Sequence, residues 1–335
     1  MLNEHKRLEI AHLPTPLERA DRLERVLAGP KIFIKRDDAT GLAGGGNKVR
    51  KLEYLGAAAL SEGANCLVTV GAPQSNHTRM TAALAARLGL KCRLYLRGEQ
   101  PGTLRGNLLL DRLLGAELVF CGREGYPEIY RRIERDAENL RDQGIKIFPI
   151  PVGGSTPLGA LGYVRAVTAE LVSQCLQADF KPEAVVVAAG SGGTLAGLML
   201  GLAVSGWGDV PVYGYSVSPT AEYLQQATAD IYNGAAELIG AECRLAPSQV
   251  LIDVRQIGEG YGFATPAALE ALQLFARQEG ILLDSVYTAK AAAGMIEAIR
   301  SGKLNRAVVF IHTGGWPALF AKDDVHSWLL KEAGQ

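Results

Sequence analysis

Lys48 closes the run Gly41–Lys48 (GLAGGGNK), where glycines and an asparagine lead into the apolar pattern VRKLEYLGAAAL. Most lysines are solvated, but one set beside an apolar helix after a glycine cluster can reach inward. Burial depresses a lysine's pKa and makes its amine a nucleophile for carbonyl groups. Gly71–Arg79 (GAPQSNHTR) brings Ser75, Asn76 and His77 to the start of an expected helix, where Ser75 or Asn76 would also serve as cap. Ala188–Leu195 (AAGSGGTL) sets Gly190, Ser191, Gly192, Gly193 and Thr194 ahead of another helical pattern. Consecutive backbone N–H groups at a helix N-terminus bind phosphate; close packing of strand on helix is the bland account of the same turn. His312–Trp316 (HTGGW) adds Thr313, while His312 fits better as a packed, hydrogen-bonded residue than as a catalyst. Tyr261 (GEGYGFAT) and Tyr287 (DSVYTAKAAAG), taken singly, read as core or interface aromatics.

Several chemistries are excluded by spacing. The turn at 190–195 has Leu195 where a dinucleotide fingerprint needs glycine, and no GK[ST] follows it. Ala189-x-Ser191-x-Gly193 comes near a hydrolase elbow with its first glycine replaced, which leaves a Ser191 hydrolase as the last-ranked alternative. The five histidines form no HExxH, and the five cysteines are scattered with no C-x-x-C, so no metal site is expected.

The elements that must position these loops alternate. Strands are expected at Lys31–Arg36, Cys66–Val70, Cys92–Leu96, Glu117–Phe120, Lys146–Pro149, Ala184–Ala188, Val212–Val217 and Ala307–Ile311. Several are apolar on both faces, as in a parallel sheet covered by helices on both sides. Pro127–Arg141 and Ala267–Glu279 carry helical stripes that end at Gly144 and Gly280. The chain of 335 residues is long enough for two domains. Ligands of such α/β folds sit outside the C-terminal ends of the strands, where each of these loops lies.

Composition narrows the partners. Glycine supplies 39 residues, a share well above the usual ~7%, which suits tight turns and backbone close to a ligand. Lys plus Arg and Asp plus Glu both number 35, so no basic excess points to nucleic acid. The longest apolar run, Leu195–Val204, is ten residues, against about 20 for a membrane span. The opening MLNEHKRLEI has no apolar stretch suited to export, and with the unpaired cysteines it suggests a cytoplasmic protein.

A phosphate cradle and one reactive lysine on an α/β scaffold suggest pyridoxal 5'-phosphate (PLP). The segments IKRDDATGLAGGGNKVRKLEYL, GAPQSNHTR, PVGGSTPLGALGYV, AAGSGGTLAGL, EGYG, LLDSVYTAKAAAG and FIHTGG together resemble the fold-type II PLP enzymes. Within these, they are similar to the group that holds D-cysteine desulfhydrase and 1-aminocyclopropane-1-carboxylate (ACC) deaminase. The resemblance implies an α/β fold of two open, twisted, mostly parallel sheets flanked by helices, as in tryptophan synthase β. It implies a large domain of residues 1–53 and 162–335, a small domain inserted at 54–161, and a homodimer. It makes Lys48 the Schiff-base lysine and proton shuttle. Asn76 would bond the ring hydroxyl, Ser75 would meet the substrate carboxylate or carry protons, and Gly190–Thr194 would hold the phosphate. Asn47, Thr288 and Thr313 join the cofactor's surroundings, with either threonine able to meet the pyridine nitrogen. Tyr261, Tyr287 and His77 would line the substrate side.

Thr288 stands where ACC deaminases carry Glu after the tyrosine, and His77 where they tend to carry Gln. A hydroxyl supports the ring nitrogen less than a carboxylate does, which suits expulsion of a good leaving group over opening of a cyclopropane. The resemblance therefore implies β-elimination from a sulfur-containing amino acid, D-cysteine first, giving pyruvate, sulfide and ammonia. L-cysteate sulfo-lyase shares AHLPTPLER and a segment like VYTAK, with Arg79 as a candidate sulfonate partner; ACC deaminase comes next. A PLP-binding protein without turnover is the alternative from another class.

Overall fold

A computed structural model describes residues 2–321 and 323–332. Its ten strands are β1 (Leu17–Arg19), β2 (Ile32–Lys35), β3 (Cys66–Gly71), β4 (Lys91–Leu96), β5 (Glu117–Phe120), β6 (Ile147–Ile150), β7 (Ala184–Ala189), β8 (Val212–Ser216), β9 (Leu251–Asp253) and β10 (Val308–Ile311). They form a six-stranded sheet, β1-β2-β10-β7-β8-β9, and a four-stranded sheet, β5-β4-β3-β6. Only β1 runs antiparallel to its neighbour. This is the two-sheet, mostly parallel α/β architecture expected from the sequence.

The strands form because their alternate residues enter two separate cores. Val185 and Val187 pack with Phe33, Val309 and Ile311 on one face of the large sheet. Val186 packs with Ile32, Ile34, Val308 and Phe310 on the other. Each such side chain contributes about 1.5–3 kcal/mol on burial. The edge strands β1 and β9 were not anticipated; each has three residues and no fully buried one, so neither carries an apolar alternation.

The small-sheet strands all lie between residues 66 and 150. The helix Lys48–Ser61 leads into them, and the helix Pro157–Ala166 leads out. The two pack against each other, and the boundaries expected at 54 and 161 fall inside them.

The first of these helices is pinned by buried charge. Arg50 donates to both carboxylate oxygens of Asp37 at 2.8 Å and to both of Glu170 at 2.7 and 2.9 Å. Lys35 of β2 also donates to Glu170 at 2.7 Å, and Tyr163 donates to Asp37. Glu170 lies in a π-helical turn, Val167–Leu171, between two α-helical segments. The cluster joins the large sheet to the helix that carries Lys48.

Candidate active site

The loops after β2, β7 and β10 of the large sheet meet those after β3 and β6 of the small one. The backbone N–H of Asn47 donates to the carbonyl of Thr313 at 3.0 Å, and its Nδ2 donates to Thr194 Oγ1 at 3.0 Å. Ser155 Oγ and Ser191 Oγ are 2.8 Å apart. Lys48 therefore shares one cleft with the glycine turn at 190–194.

Lys48 begins its helix after a loop with positive φ at Gly41, Ala43, Gly44, Gly45 and Gly46. At Gly45 a Cβ would collide with the carbonyl oxygen of Asp38, so only glycine closes this turn. The loop is held from both sides. Arg79 donates to the carbonyls of Ala43 and Gly45, and Trp316 Nε1 donates to that of Gly44 at 3.0 Å. Lys48 Nζ donates to Asn47 Oδ1 at 3.3 Å. Crowding by protein pushes its pKa down to about 8, which leaves part of the amine neutral near physiological pH.

Lys51 is the site residue that sequence reasoning missed. Its side chain is buried, and its Nζ donates to the carbonyl of Gly153 at 3.1 Å and to Ser155 Oγ at 3.2 Å. Burial, then the charge of Lys48, pushes its pKa well down. The Gly153–Ser155 turn lies in the segment PVGGSTPLGALGYV, to which the sequence reading gave no role at the site. A Cβ on Gly193 would meet Ser155 Oγ at 2.7 Å and Lys51 Nζ at 2.8 Å. Gly192, at φ 79°, turns the chain into the helix Gly193–Val204. A helix N-terminus, a buried lysine amine and two hydroxyls thus surround a space kept open by the missing side chain. That donor set suits a phosphate.

Ser75 and Asn76 open the helix Asn76–Leu88. Ser75 Oγ accepts from the backbone N–H groups of His77 and Thr78 at 3.2 and 3.4 Å, so it caps the helix. His77 Nε2 lies 2.8 Å from Thr69 Oγ1, while its buried Nδ1 has no hydrogen-bond partner among the described residues. Burial, with Lys48 and Lys51 nearby, pushes the His77 pKa well below 6.5 and keeps the ring neutral.

Tyr261 and Tyr287 meet hydroxyl to hydroxyl at 2.6 Å, their rings edge to face with centroids 5.8 Å apart. A Cβ on Gly190 would stand 3.6 Å from the Tyr287 ring, so the pair borders the glycine turn. Burial pushes Tyr261 up to about 12 and raises Tyr287 well above its ordinary value, so both are protonated at neutral pH.

The two threonines separate. Thr288 gives its hydroxyl proton to Asp284 Oδ1 at 2.7 Å and accepts from the Asp284 backbone N–H at 2.8 Å. Its role is to fasten a helix start, and it has no proton left for a ring nitrogen. Thr313 Oγ1 makes no hydrogen bond among the described residues. His312 is packed, as the sequence suggested: Nδ1 accepts from Gly314 N–H at 3.3 Å and Nε2 lies 3.2 Å from the carbonyl of Leu282. Among the described residues no group of three or more His, Cys, Asp or Glu could hold a metal, and no helix is long and apolar enough to cross a membrane.

The pyridoxal-phosphate dependent enzyme family model matches residues 8–314. The chain belongs to this family. It is a PLP-dependent lyase, and the cradle around Lys51 and Gly193 fits the cofactor's phosphate. It is 43% identical to a D-cysteine desulfhydrase of Salmonella typhi over 336 aligned positions, 96% of this chain and 97% of that one. It is 41% identical over 325 positions to a protein of Pyrococcus horikoshii provisionally named an ACC deaminase, covering 97% and 96%. The crystal structure of an ACC deaminase homologue superposes with a TM-score of 0.88 at 38% identity, covering 98% of this chain and 97% of that one. That of a fungal L-serine ammonia-lyase from Rhizomucor miehei, at a TM-score of 0.66 and 20% identity over 96% and 99% of the chains, shares the fold.

Proposed function

We propose that the chain catalyses β-elimination from a cysteine-like amino acid, with D-cysteine as substrate and pyruvate, sulfide and ammonia as products. The observation that carries the reading is Lys48, whose amine is tuned to about 8 in a cleft that also holds a phosphate cradle and a tyrosine pair. Bound PLP supplies the electron-withdrawing ring that makes the substrate's Cα–H acidic.

The protein's own groups do the rest. The backbone of Gly190–Thr194, Lys51 and Ser155 would hold the phosphate. Asn76 would bond the ring hydroxyl oxygen. Thr313, whose hydroxyl has no partner among the described residues, would meet the ring nitrogen, and Thr288 fastens the start of its helix to Asp284. Asn47 fixes the lysine's turn against Thr194. Ser75 keeps its hydroxyl proton for the substrate carboxylate, because its oxygen only accepts from the helix N-terminus. Lys48 Nζ takes the Cα proton in its neutral form. One hydroxyl of the Tyr261–Tyr287 pair donates to the other, and the remaining proton is available to the sulfur as it leaves Cβ. His77, uncharged, shapes the substrate side without attracting an anion. One water is consumed and the nitrogen leaves as ammonia, so the atoms of D-cysteine balance.

Two features favour cysteine over cysteate and ACC. Arg79, the candidate sulfonate partner, is fully buried and donates from both Nη atoms to loop carbonyls. Residue 288 is a threonine bound to Asp284, not a glutamate. ACC deamination is the second reading, favoured by the relatives that carry that name.

Keto-acid release from D-cysteine, L-cysteine, L-cysteate, β-chloro-D-alanine and ACC tests the reading. The expected result is pyruvate and sulfide from D-cysteine at the highest kcat/KM. ACC as the best substrate, or sulfite from L-cysteate ahead of sulfide from D-cysteine, overturns it. Yellow protein that releases no keto acid from any of them would point to binding without turnover.

A further inference from the structure

Asn76 can turn either end of its amide to the cleft, and the ends do opposite chemistry: Nδ2 donates and Oδ1 accepts. The structure fixes which. Asn76 Oδ1 accepts from Nδ2 of Asn107 at 2.9 Å. The same Nδ2 donates to the backbone carbonyl of Gln74 at 2.9 Å. A backbone carbonyl can only accept, so the nitrogen end of Asn107 must lie here, and Asn76 must turn its oxygen toward it. Asn107 is itself held in place. Its backbone N–H donates to Gln74 Oε1 at 2.9 Å, and Gln74 Nε2 donates to the carbonyl of Arg105 at 3.1 Å.

Asn76 Nδ2 is left facing away from Asn107, with no hydrogen-bond partner among the described residues. It lies 2.9 Å from where a Cβ on Gly315 would begin, a point also 2.8 Å from Asp284 Oδ1, which accepts from Thr288, so the loop after β10 passes both groups without a side chain. Asn107 is fully buried, and its own Oδ1 has no partner among the described residues. An unpartnered buried carbonyl costs about 1–3 kcal/mol.

We propose that Asn107, on the helix Gly106–Leu113, is a positioning residue that locks the Asn76 amide with its N–H toward the cleft, so that the site takes a hydrogen-bond acceptor there. The acceptor is the anionic ring oxygen of the cofactor, which rests on the reading of Asn76 given above. A donor at that oxygen favours its ionised form, and an acceptor disfavours it.

The test compares the PLP-loaded wild type with Asn107→Asp, Asn76→Ala and the double variant, reading the pH midpoint of the bound cofactor's visible absorption. A carboxylate at 107 accepts and does not donate, so it draws Asn76 Nδ2 toward itself and turns Oδ1 to the cleft. The expected midpoint in Asn107→Asp is higher by about one unit, a tenfold change. The double variant is expected to fall back to the midpoint of Asn76→Ala alone. A midpoint that moves in Asn76→Ala but not in Asn107→Asp overturns this inference and spares the reading of Asn76. So does an Asn107→Asp effect that persists undiminished without Asn76. A midpoint unmoved by Asn76→Ala overturns the reading, and the inference with it. Should Asn107→Asp not fold, Asn107→Ala, which only releases Asn76, is expected to shift the midpoint the same way by less, and no shift overturns the inference.

Discussion

Lys51 stands one helical turn beyond Lys48, and the charge of Lys48 bears on it as a repulsion added to burial. An anion between the two buried amines would relieve that repulsion, and Lys51 directs its Nζ to the rim of the Gly193 turn. Hydrogen bonds to charged groups are worth about 1.5–3 kcal/mol. Lys51→Met is therefore expected to weaken PLP binding by roughly 10- to 150-fold, measured by equilibrium dialysis. Pyridoxal, which lacks the phosphate, should bind both proteins alike. An equal loss for both ligands would mean that Lys51 supports the cleft without touching the phosphate.

The depressed pKa of Lys48 has a kinetic consequence. Only the neutral amine attacks an aldehyde, so capture of PLP by the apoprotein should speed up as pH rises and level off above about 8. A solvated lysine would keep gaining until about 10.4. Stopped-flow absorbance between pH 6 and 10.5 reads the midpoint. A midpoint near 10 would show that protein does not desolvate this amine.

Arg50 is two residues from Lys48 but serves the fold. Burial opposes ionisation of Asp37 and Glu170, and Arg50 outweighs it, holding both carboxyls below their ordinary values. Their depressed pKa values contribute stability that is fully present above about pH 4.5, the unfolded range, and lost as pH falls through the folded values. Arg50→Met leaves buried charge uncompensated and is expected to cost about 3–5 kcal/mol in urea unfolding. The acid-unfolding midpoint should move to higher pH. A variant as stable as wild type at pH 7 would show that Lys35 and Tyr163 suffice.

Much of this was readable because local and global requirements coincide. Glu117–Phe120 is a strand as expected, and the valines of β7 announce a sheet covered on both faces. β1 and β9 were hidden because an edge strand of three residues buries nothing along a period of two. Lys51 was hidden for a different reason. In VRKLEYL it reads as the solvated side of a helix, and its burial depends on a turn a hundred residues away. The available signal was that Lys51 shares a face with apolar Leu55, four residues on. Thr288 and Thr313 could not be told apart, because the hydroxyl of one is spent on Asp284, a partner that spacing alone does not reveal.

On the proposed reading the hydroxyl pair of Tyr261 and Tyr287 hands a proton to the departing group, and leaving-group chemistry can isolate that role. Sulfur leaves from Cβ more readily as it is protonated, whereas chloride needs no proton. General acid catalysis contributes about 10²- to 10⁴-fold. Tyr287→Phe should lower kcat on D-cysteine by an amount in that range and lower it far less on β-chloro-D-alanine. Tyr261→Phe should do the same to a smaller degree, and the double variant should be little worse than Tyr287→Phe, because the two hydroxyls act through one hydrogen bond. Equal losses on both substrates would place the pair in substrate binding instead, since a chloride gains nothing from the proton that a sulfide requires.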